Sequence, residues 1–217
     1  MYRPIALASP LILAVALGLA ATPLRAATYT LEPDYTQGVF RWNHLGFSSP
    51  AAQFAQGSGS LEFDSANPTQ SSVMVTIPIA SLHTGVPDLD EDFRSTDFFD
   101  IARFPTATFS STKVEKGAAA DQLKVMGNLT LHGVTKPVTL DATVVKIGTN
   151  PRTNLPTVGF DATTVLKRSD FGLGKYVPQV GDEIQMRIII QAVEAKAYAD
   201  YLKARKEAAA AKDAAKK

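Results

Sequence analysis

The feature that most restricts this chain is a period-two alternation of apolar and polar residues that recurs between residues 39 and 193. Successive side chains of a strand point to opposite faces, so a repeated rhythm of this kind calls for one-sided β-strands rather than helices. Residues 39–45 set Phe40, Trp42 and His44 on one face against Arg41 and Asn43; residues 57–64 alternate more weakly around Leu61 and Phe63. Residues 72–81 set Val73, Val75, Ile77 and Ile79 against Met74 and Thr76, and residues 106–114 set Ala107, Phe109 and Ser111 against Thr108 and Ser110. Residues 123–131 and 136–147 flank a short turn on Gly133 and read as a hairpin, with Leu123, Val125, Leu129 and Leu131 on one face of the first strand and Val138, Leu140, Ala142 and Val144 on one face of the second. Residues 158–167 carry Phe160, Ala162 and Leu166 on one side, and residues 183–193 carry Ile184, Met186, Ile188 and Ile190.

Eight such strands, with no long helical pattern before residue 195, make a sandwich or a closed antiparallel barrel. Closure removes the exposed edges that an open sheet must guard. An eight-stranded barrel either fills with its own side chains or holds one slim ligand. The inward set mixes large residues with small ones (Ala107, Ser111, Gly127, Ala142, Ala162). Small residues either leave room or face large partners, and periodicity leaves both readings open.

One stretch breaks the rhythm. Residues 81–109 hold the acids Asp88, Asp90, Glu91, Asp92, Asp97 and Asp100 together with Phe93, Phe98, Phe99 and Phe104. Such acidity excludes a central strand. Short helical turns are expected, with Ser95 or Thr96 as N-cap and Pro105 as the stop before the next strand. The rings need apolar surface to cover, so the segment reads as a helical cap on one barrel end, either plugging the core or lidding a cavity.

The ends differ from the body. Arg3, the apolar run LILAVALGLAA at residues 11–21 and a break from Pro23 to Ala26 read as an export signal cleaved after Ala26. Eleven apolar residues fall short of the roughly 20 that span a bilayer, and no later segment approaches that length, so a soluble exported protein is expected. The chain has no cysteine, which excludes disulfides, thiolate nucleophiles and Cys-ligated metals. Without Arg3 and Arg25 the 22 basic residues become 20 against 21 acids, a balance that gives no support to nucleic-acid binding. From residue 195 an Ala/Lys-rich tail carries seven Lys or Arg against three acids and reads as a helical or disordered basic extension. The expected organisation is therefore a signal at 1–26, a barrel domain at 27–194 and the tail at 195–217.

Catalytic patterns are weak. His44, His83 and His132 stand far apart without metal-ligand spacing, and the Asp97/Asp100 and Asp90/Asp92 pairs read as capping and solvated acids. The segment GKYVPQVGD at 174–182 lacks the context of a phosphate loop. In RSDFG at 168–172, Arg168 either pairs with Asp170 to staple the barrel mouth or, with Lys175, meets a polar or anionic ligand head.

In order along the chain, YTLEPDYTQGVFRWNHLGFS, IPIASLHTG, RSTDFFDIARFPTATFSSTKV, GNLTLHGVTKPVTL, LKRSDFGL and VGDEIQMRI together resemble the YceI-like family of exported, lipocalin-like proteins. The resemblance covers residues 29–194. It implies an eight-stranded antiparallel barrel with a helical insertion and a long apolar tunnel for a polyisoprenoid chain, such as that of a prenyl quinone or prenyl phosphate. It further implies a periplasmic binding protein rather than an enzyme, one that sequesters or transports its lipid and requires no cofactor. The chain departs from the family pattern where Leu89 and Asp92 replace an expected Arg and His, and in the loop SPAAQFAQGSG at 49–59, which lacks the usual basic and Gly positions.

On that basis the expected ligand-binding residues are the inward Phe40, Trp42, His44, Val75, Ile77, Phe109, Leu129, Leu131, Phe160, Met186 and Ile188, with Phe98 and Phe99 at the cap and Arg168 and Phe171 at the mouth. Transient membrane contact through the basic tail and a homodimer stay open. The alternatives are a filled barrel with a structural or stress role in the envelope, and a hydrolase or isomerase using His44 or His132.

Overall fold

The computed structural model describes residues 26–214, so the stretch read as an export signal lies outside the described residues except for Ala26. Ten strands form a single antiparallel sheet: β1 (Ala27–Leu31), β2 (Gln37–Arg41), β3 (Ala51–Phe54), β4 (Ser58–Phe63), β5 (Ser72–Pro78), β6 (Thr106–Lys116), β7 (Gln122–Leu131), β8 (Val134–Thr149), β9 (Pro156–Lys167) and β10 (Glu183–Glu194). They build an eight-staved closed barrel because two staves are broken. β1 and β2 both pair with β10, through Leu31 opposite Ala192 and Val39 opposite Arg187, while β1 pairs with β4 and β2 with β3. The other staves follow in chain order from β4 through β10, which closes the ring.

Both breaks lie side by side. Between β1 and β2, Pro33–Tyr35 form a single 3-10 turn, since proline has no N–H for the ladder and its φ suits a turn. Between β3 and β4, Gly57 donates its N–H to the Thr36 carbonyl at 3.1 Å. A Cβ on Gly57 would meet Thr36 Cγ2 at 2.6 Å, so this close crossing needs glycine.

The breaks divide the barrel into two ends. At the far end Leu31, Leu61, Phe63, Val75, Val158 and Ala192 pack into one buried cluster and Val114, Leu123, Ala142 and Ala162 into another. At the other end lie Phe40, Trp42, Ala52 and Phe54, covered by the insertion between β5 and β6. That insertion contains helix α1 (Pro87–Arg94).

Several local expectations are corrected. The strand expected at 39–45 ends at Arg41, where the chain turns through Leu45 and Gly46 with φ of 56° and 77°, and His44 is exposed. The segment 49–59 is not all loop: Ala51–Phe54 is a strand, with Ala52 and Phe54 inward after Pro50. β1 carried too short a pattern to be seen from the sequence. The strand expected through residue 81 ends at Pro78, and Ile79–Ser81 turn as a 3-10 helix into the cap. Ser95 is the C-cap of α1, not an N-cap; the helix instead starts on Pro87, with Asp88 and Asp90 in its first turn.

The hairpin between β7 and β8 turns on His132 and Gly133 alone, with φ of 51° and 74°, the double positive φ that matches the twist of its strands. After β10 the chain continues as helix α2 (Ala195–Ala214), which touches β1 and β10 at the far end. No described helix is long and apolar enough to cross a membrane.

Candidate functional site

At the capped end the alternation of β2 turns Phe40 and Trp42 inward, and β3 adds Phe54, stacked on Phe40 at 5.2 Å between ring centroids. The cap lowers three more rings onto this wall. Phe93 meets Trp42 edge-on at 5.6 Å, Phe99 meets Phe54 at 5.5 Å, and Phe98 meets Phe93 at 5.4 Å and Tyr176 at 6.3 Å. Edge-to-face pairs at these separations are favourable geometries of the aromatic quadrupole. The rings enclose a cavity of about 470 Å³ that Leu131, Phe171, Leu173, Ile184 and Met186 complete on the barrel side. This volume lies within the usual range for small-molecule sites.

The cap is anchored rather than merely laid on the barrel. His83 exchanges backbone hydrogen bonds with Gln53 of β3 at 2.9 Å in both directions. Buried Asp90 accepts from the Thr84 N–H at 2.6 Å, the Thr84 hydroxyl at 2.7 Å and shares a 2.9 Å contact with His83 Nδ1. The Thr84 hydroxyl, with His83 and the Thr84 N–H, holds the Asp90 carboxyl at about 2, against burial, which pushes it up. Arg94 donates to the Leu82 carbonyl at 2.7 Å. On the far side Phe104 packs edge-on against His132 at 4.7 Å, and Ile79 donates to the Pro105 carbonyl at 2.9 Å.

The opposite rim is the loop between β9 and β10. Arg168 does not pair with Asp170. Its Nε donates to Gly181 O at 2.9 Å, one terminal nitrogen to Lys175 O at 2.8 Å and to Leu173 O, and the other to Val180 O at 2.9 Å. Burial pushes its pKa below the ordinary guanidinium value, the nearby Asp182 opposing that shift. Asp182 in turn accepts from the Ser169 N–H and hydroxyl at 2.9 and 2.7 Å. Lys175 crosses to the cap, pairing with Asp97 and lying 5.6 Å over the Phe98 ring and 5.0 Å over Tyr176. The Asp97 carboxylate, foremost among its neighbours, pushes the Lys175 pKa up.

Of the expected binding residues, Phe40, Trp42, His44, Phe98, Phe99, Leu131, Arg168, Phe171 and Met186 stand on the cavity wall. Val75 and Phe160 instead pack into the Leu31 cluster, Phe109 and Leu129 into the cluster beneath Phe171, and Ile188 against Ala142 and Ala162, while Ile77 bridges two clusters. At these six positions the inward face thus belongs to side-chain clusters outside the capped cavity, with Val75 and Phe109 buried and Ile77, Leu129, Phe160 and Ile188 half-buried. Sequence reasoning passed over Phe54, because it lay in a presumed loop, and Tyr176, because the 172–180 segment has no strand rhythm. Phe93 is another wall residue that it left out. Leu89 and Asp92, the two departures from the family pattern, both lie on the wall.

A second hollow, of about 410 Å³, lies among Lys124, Asp141, Asp161 and Arg187, where the ion pairs Lys124–Asp141 and Arg187–Asp161 run. It has no aromatic wall, and the capped cavity is the stronger site. Among the described residues no group of three or more His, Asp or Glu is placed to hold a metal. His44, His83 and His132 sit respectively at the mouth, on the exposed edge of the cap against Asp90, and in the β7–β8 turn with Nδ1 3.1 Å from Phe171 O.

Comparison with known proteins agrees with this architecture. A YceI-like domain matches residues 29–192. Protein YceI of Salmonella arizonae is 38% identical over 173 residues, 79% of this chain and 89% of the relative, and that of Salmonella heidelberg matches to the same extent. Among solved structures, BcnA of Burkholderia cenocepacia superposes with a TM-score of 0.63 at 28% identity, covering 71% of this chain and 95% of that one. The YCEI protein of Campylobacter jejuni gives 0.62 at 29% identity, covering 70% and 89%. A polyisoprenoid binding domain from Saccharophagus degradans gives 0.60 over 78% of this chain and 99% of its own, and at 14% identity it shares the fold alone.

Proposed function

The chain belongs to the YceI-like family, and from that premise we propose that it is a periplasmic binding protein that encloses the apolar chain of a polyisoprenoid lipid for sequestration or transport. The observation that carries this reading is the capped cavity, with Phe40, Trp42, Phe54, Phe93, Phe98 and Phe99 on one continuous apolar wall. Each Å² of apolar surface withdrawn from water contributes about 25 cal/mol, so a prenyl segment seated there gains affinity beyond the cost of ordering it. The polyisoprenoid binding described for the Saccharophagus degradans domain supports the ligand class.

The periplasm follows from the apolar N-terminal run read as an export signal, and an aqueous space between membranes is where a prenyl chain needs a carrier. A binding role rather than an enzymatic one is supported by the three histidines, which stand apart in three different parts of the fold. The ligand is cargo, and no cofactor enters the proposal.

The test is organic extraction of the protein isolated from the periplasm, followed by mass spectrometry and by titration of Trp42 fluorescence with a prenyl quinone. A stoichiometric prenyl lipid and saturable quenching are the expected results, because Trp42 is the only tryptophan and lines the cavity. An empty extract together with a flat titration of folded protein would overturn the proposal.

A further inference from the structure

The turn between β2 and β3 holds two apolar side chains out in water: Phe47 is 92% exposed, and Leu45 is exposed beside it. Neither belongs to any of the core clusters. The turn is nevertheless tied down. The His44 N–H donates to the Ser48 carbonyl at 2.9 Å, the Phe47 N–H to the His44 carbonyl at 3.1 Å and the Gly46 N–H to Asn43 Oδ1 at 2.8 Å. Its base is fixed to the rim loop, where the Gly181 N–H donates to the Asn43 carbonyl at 2.8 Å. Leu45 has φ of 56°, a left-handed conformation that is unfavourable for a bulky side chain. The barrel gains nothing from this arrangement, so its use lies outside the barrel.

The tip stands at the cavity mouth. His44, Ser48 and Pro50 beside it line the cavity, as does the exposed Tyr176 of the rim loop, whereas Leu45 and Phe47 are not part of the wall. Residues 42–61 contain no Asp, Glu, Lys or Arg, where the chain's 20% charged composition would place about four. The charged groups of the mouth, Asp92, Asp97 and Lys175, lie on the cap and the rim loop instead. Exposed apolar groups mark contacts with protein or membrane. Here the cargo decides: a prenyl lipid is dissolved in a bilayer, and a surface that enters one must not carry charges that lose their water. Leu and Phe are side chains that bury at the boundary of head groups and acyl chains, and Tyr favours the head-group level.

We infer that the tip at 45–47 inserts into the surface of a lipid bilayer and sets the cavity mouth against the membrane that holds the ligand. This rests on the carrier reading above and adds the contact through which the carrier loads. It puts the membrane at the capped end, away from the basic helix α2 at the far end.

The test uses vesicles of phosphatidylcholine alone and of phosphatidylcholine mixed with phosphatidylglycerol. In a Trp42→Phe background, Phe47→Trp puts the only indole at the tip. Its emission is expected to shift to the blue on both kinds of vesicle and to be quenched by lipids brominated on the acyl chain. Phe47→Ser, made in the otherwise unaltered protein, is expected to bind vesicles about tenfold more weakly, the scale of one phenyl ring withdrawn from water. Trp42 quenching should show it drawing prenyl quinone from vesicles more slowly, while uptake of a short, water-soluble prenyl quinone stays unchanged. Phe47 packs into no core cluster, so the variant should fold, and circular dichroism checks that it does. A tip emission that vesicles leave unmoved would overturn the inference and leave the carrier reading intact. So would a shift that follows protein concentration without vesicles, which would make a second copy of the chain the occupant. Binding confined to the anionic vesicles, abolished by salt and indifferent to Phe47→Ser, would overturn it in favour of the basic tail. Failure of the unaltered protein to take up the soluble quinone would sink the carrier reading and the inference with it.

Discussion

The two ends of this barrel use the same period-two strands and the same residue classes, but one carries an aromatic-walled cavity under a cap, while the other closes on a tight apolar cluster with a charged hollow at its edge. At the far end Phe63 and Phe160 meet edge-on at 5.3 Å, and Leu31, Val158 and Ala192 are wholly buried between them and their neighbours. Gly127 lies against Phe109: a Cβ there would stand 2.4 Å from the ring. At the capped end the rings stand around a cavity instead of across it. The difference does not come from the small inward Gly127, whose space the Phe109 ring takes. It comes from backbone placement: two staves break together at Thr36 and Gly57, and beyond the break the cap is tied to β3 through the His83–Gln53 hydrogen bonds and braced within itself by Thr84 on Asp90 and Arg94 on Leu82. A wall held by polar anchors can stand off from the core that it covers; a wall held only by apolar contact collapses onto it.

The largest way to break the comparison is Phe63→Ala. Truncating this buried ring is expected to cost about 3–5 kcal/mol of stability, read from urea unfolding, since its packed neighbours cannot collapse into the void. Binding of prenyl quinone should survive in the folded fraction. Phe98→Ala, in the half-buried cap, should do the reverse: a smaller stability loss and a clear drop in quinone affinity. If Phe63→Ala weakened binding as much as Phe98→Ala, the two ends would not be distinct.

Gly127→Ala comes next. The added methyl meets the Phe109 ring and the Ser110 carbonyl, so overpacking of about 1–3 kcal/mol is expected. Pairing it with Phe109→Leu should recover part of the ring clash, a coupling that a double-mutant cycle measures.

These contrasts mark what could be read from the sequence and what could not. Strand rhythm located all eight staves, since each needed one apolar face, and the rings at Phe93, Phe98 and Phe99 announced a cap. The same rhythm could not separate a wall from a core. Phe40 and Phe160 alternate in the same way, yet one lines the cavity and the other packs half-buried against the Leu31 cluster, because that depends on what lies across the barrel in space. Nor could it reach β3, whose four residues hold one apolar pair, or the rim loop, whose shape is set by carbonyls converging on Arg168. The expected Arg168–Asp170 pair followed from nearness in sequence; the guanidinium found backbone partners up to thirteen residues away.

The boundary itself offers a smaller test. The Thr36 hydroxyl is buried at the double break with no hydrogen-bond partner among the described residues. Thr36→Val keeps the shape and removes the unpaired group, so a gain of about 1 kcal/mol is expected in denaturant unfolding. A loss would mean that the hydroxyl is satisfied in solution and that the break is held by more than Gly57.

The smallest effect separates the cap from the barrel through pH. Asp90 has an ordinary carboxyl value of 3.8 when the cap is unfolded and about 2 when folded, so the unfolded form binds the proton more readily. Its contribution is therefore fully present above about pH 4 and is lost as the pH falls toward 2. The effect is small because the His83 side chain that faces Asp90 is 63% exposed, so water screens the pair. Asp90→Asn should remove this part of the pH dependence, so that variant and unaltered protein converge near pH 2. The sensitive readout is Trp42, which touches Phe93 of the cap, rather than far-end unfolding. Acid that released the cap first would change Trp42 fluorescence before the barrel's circular dichroism. Simultaneous change in both would show that cap and barrel unfold as one unit, and that the polar anchors do not give the hollow end a stability of its own.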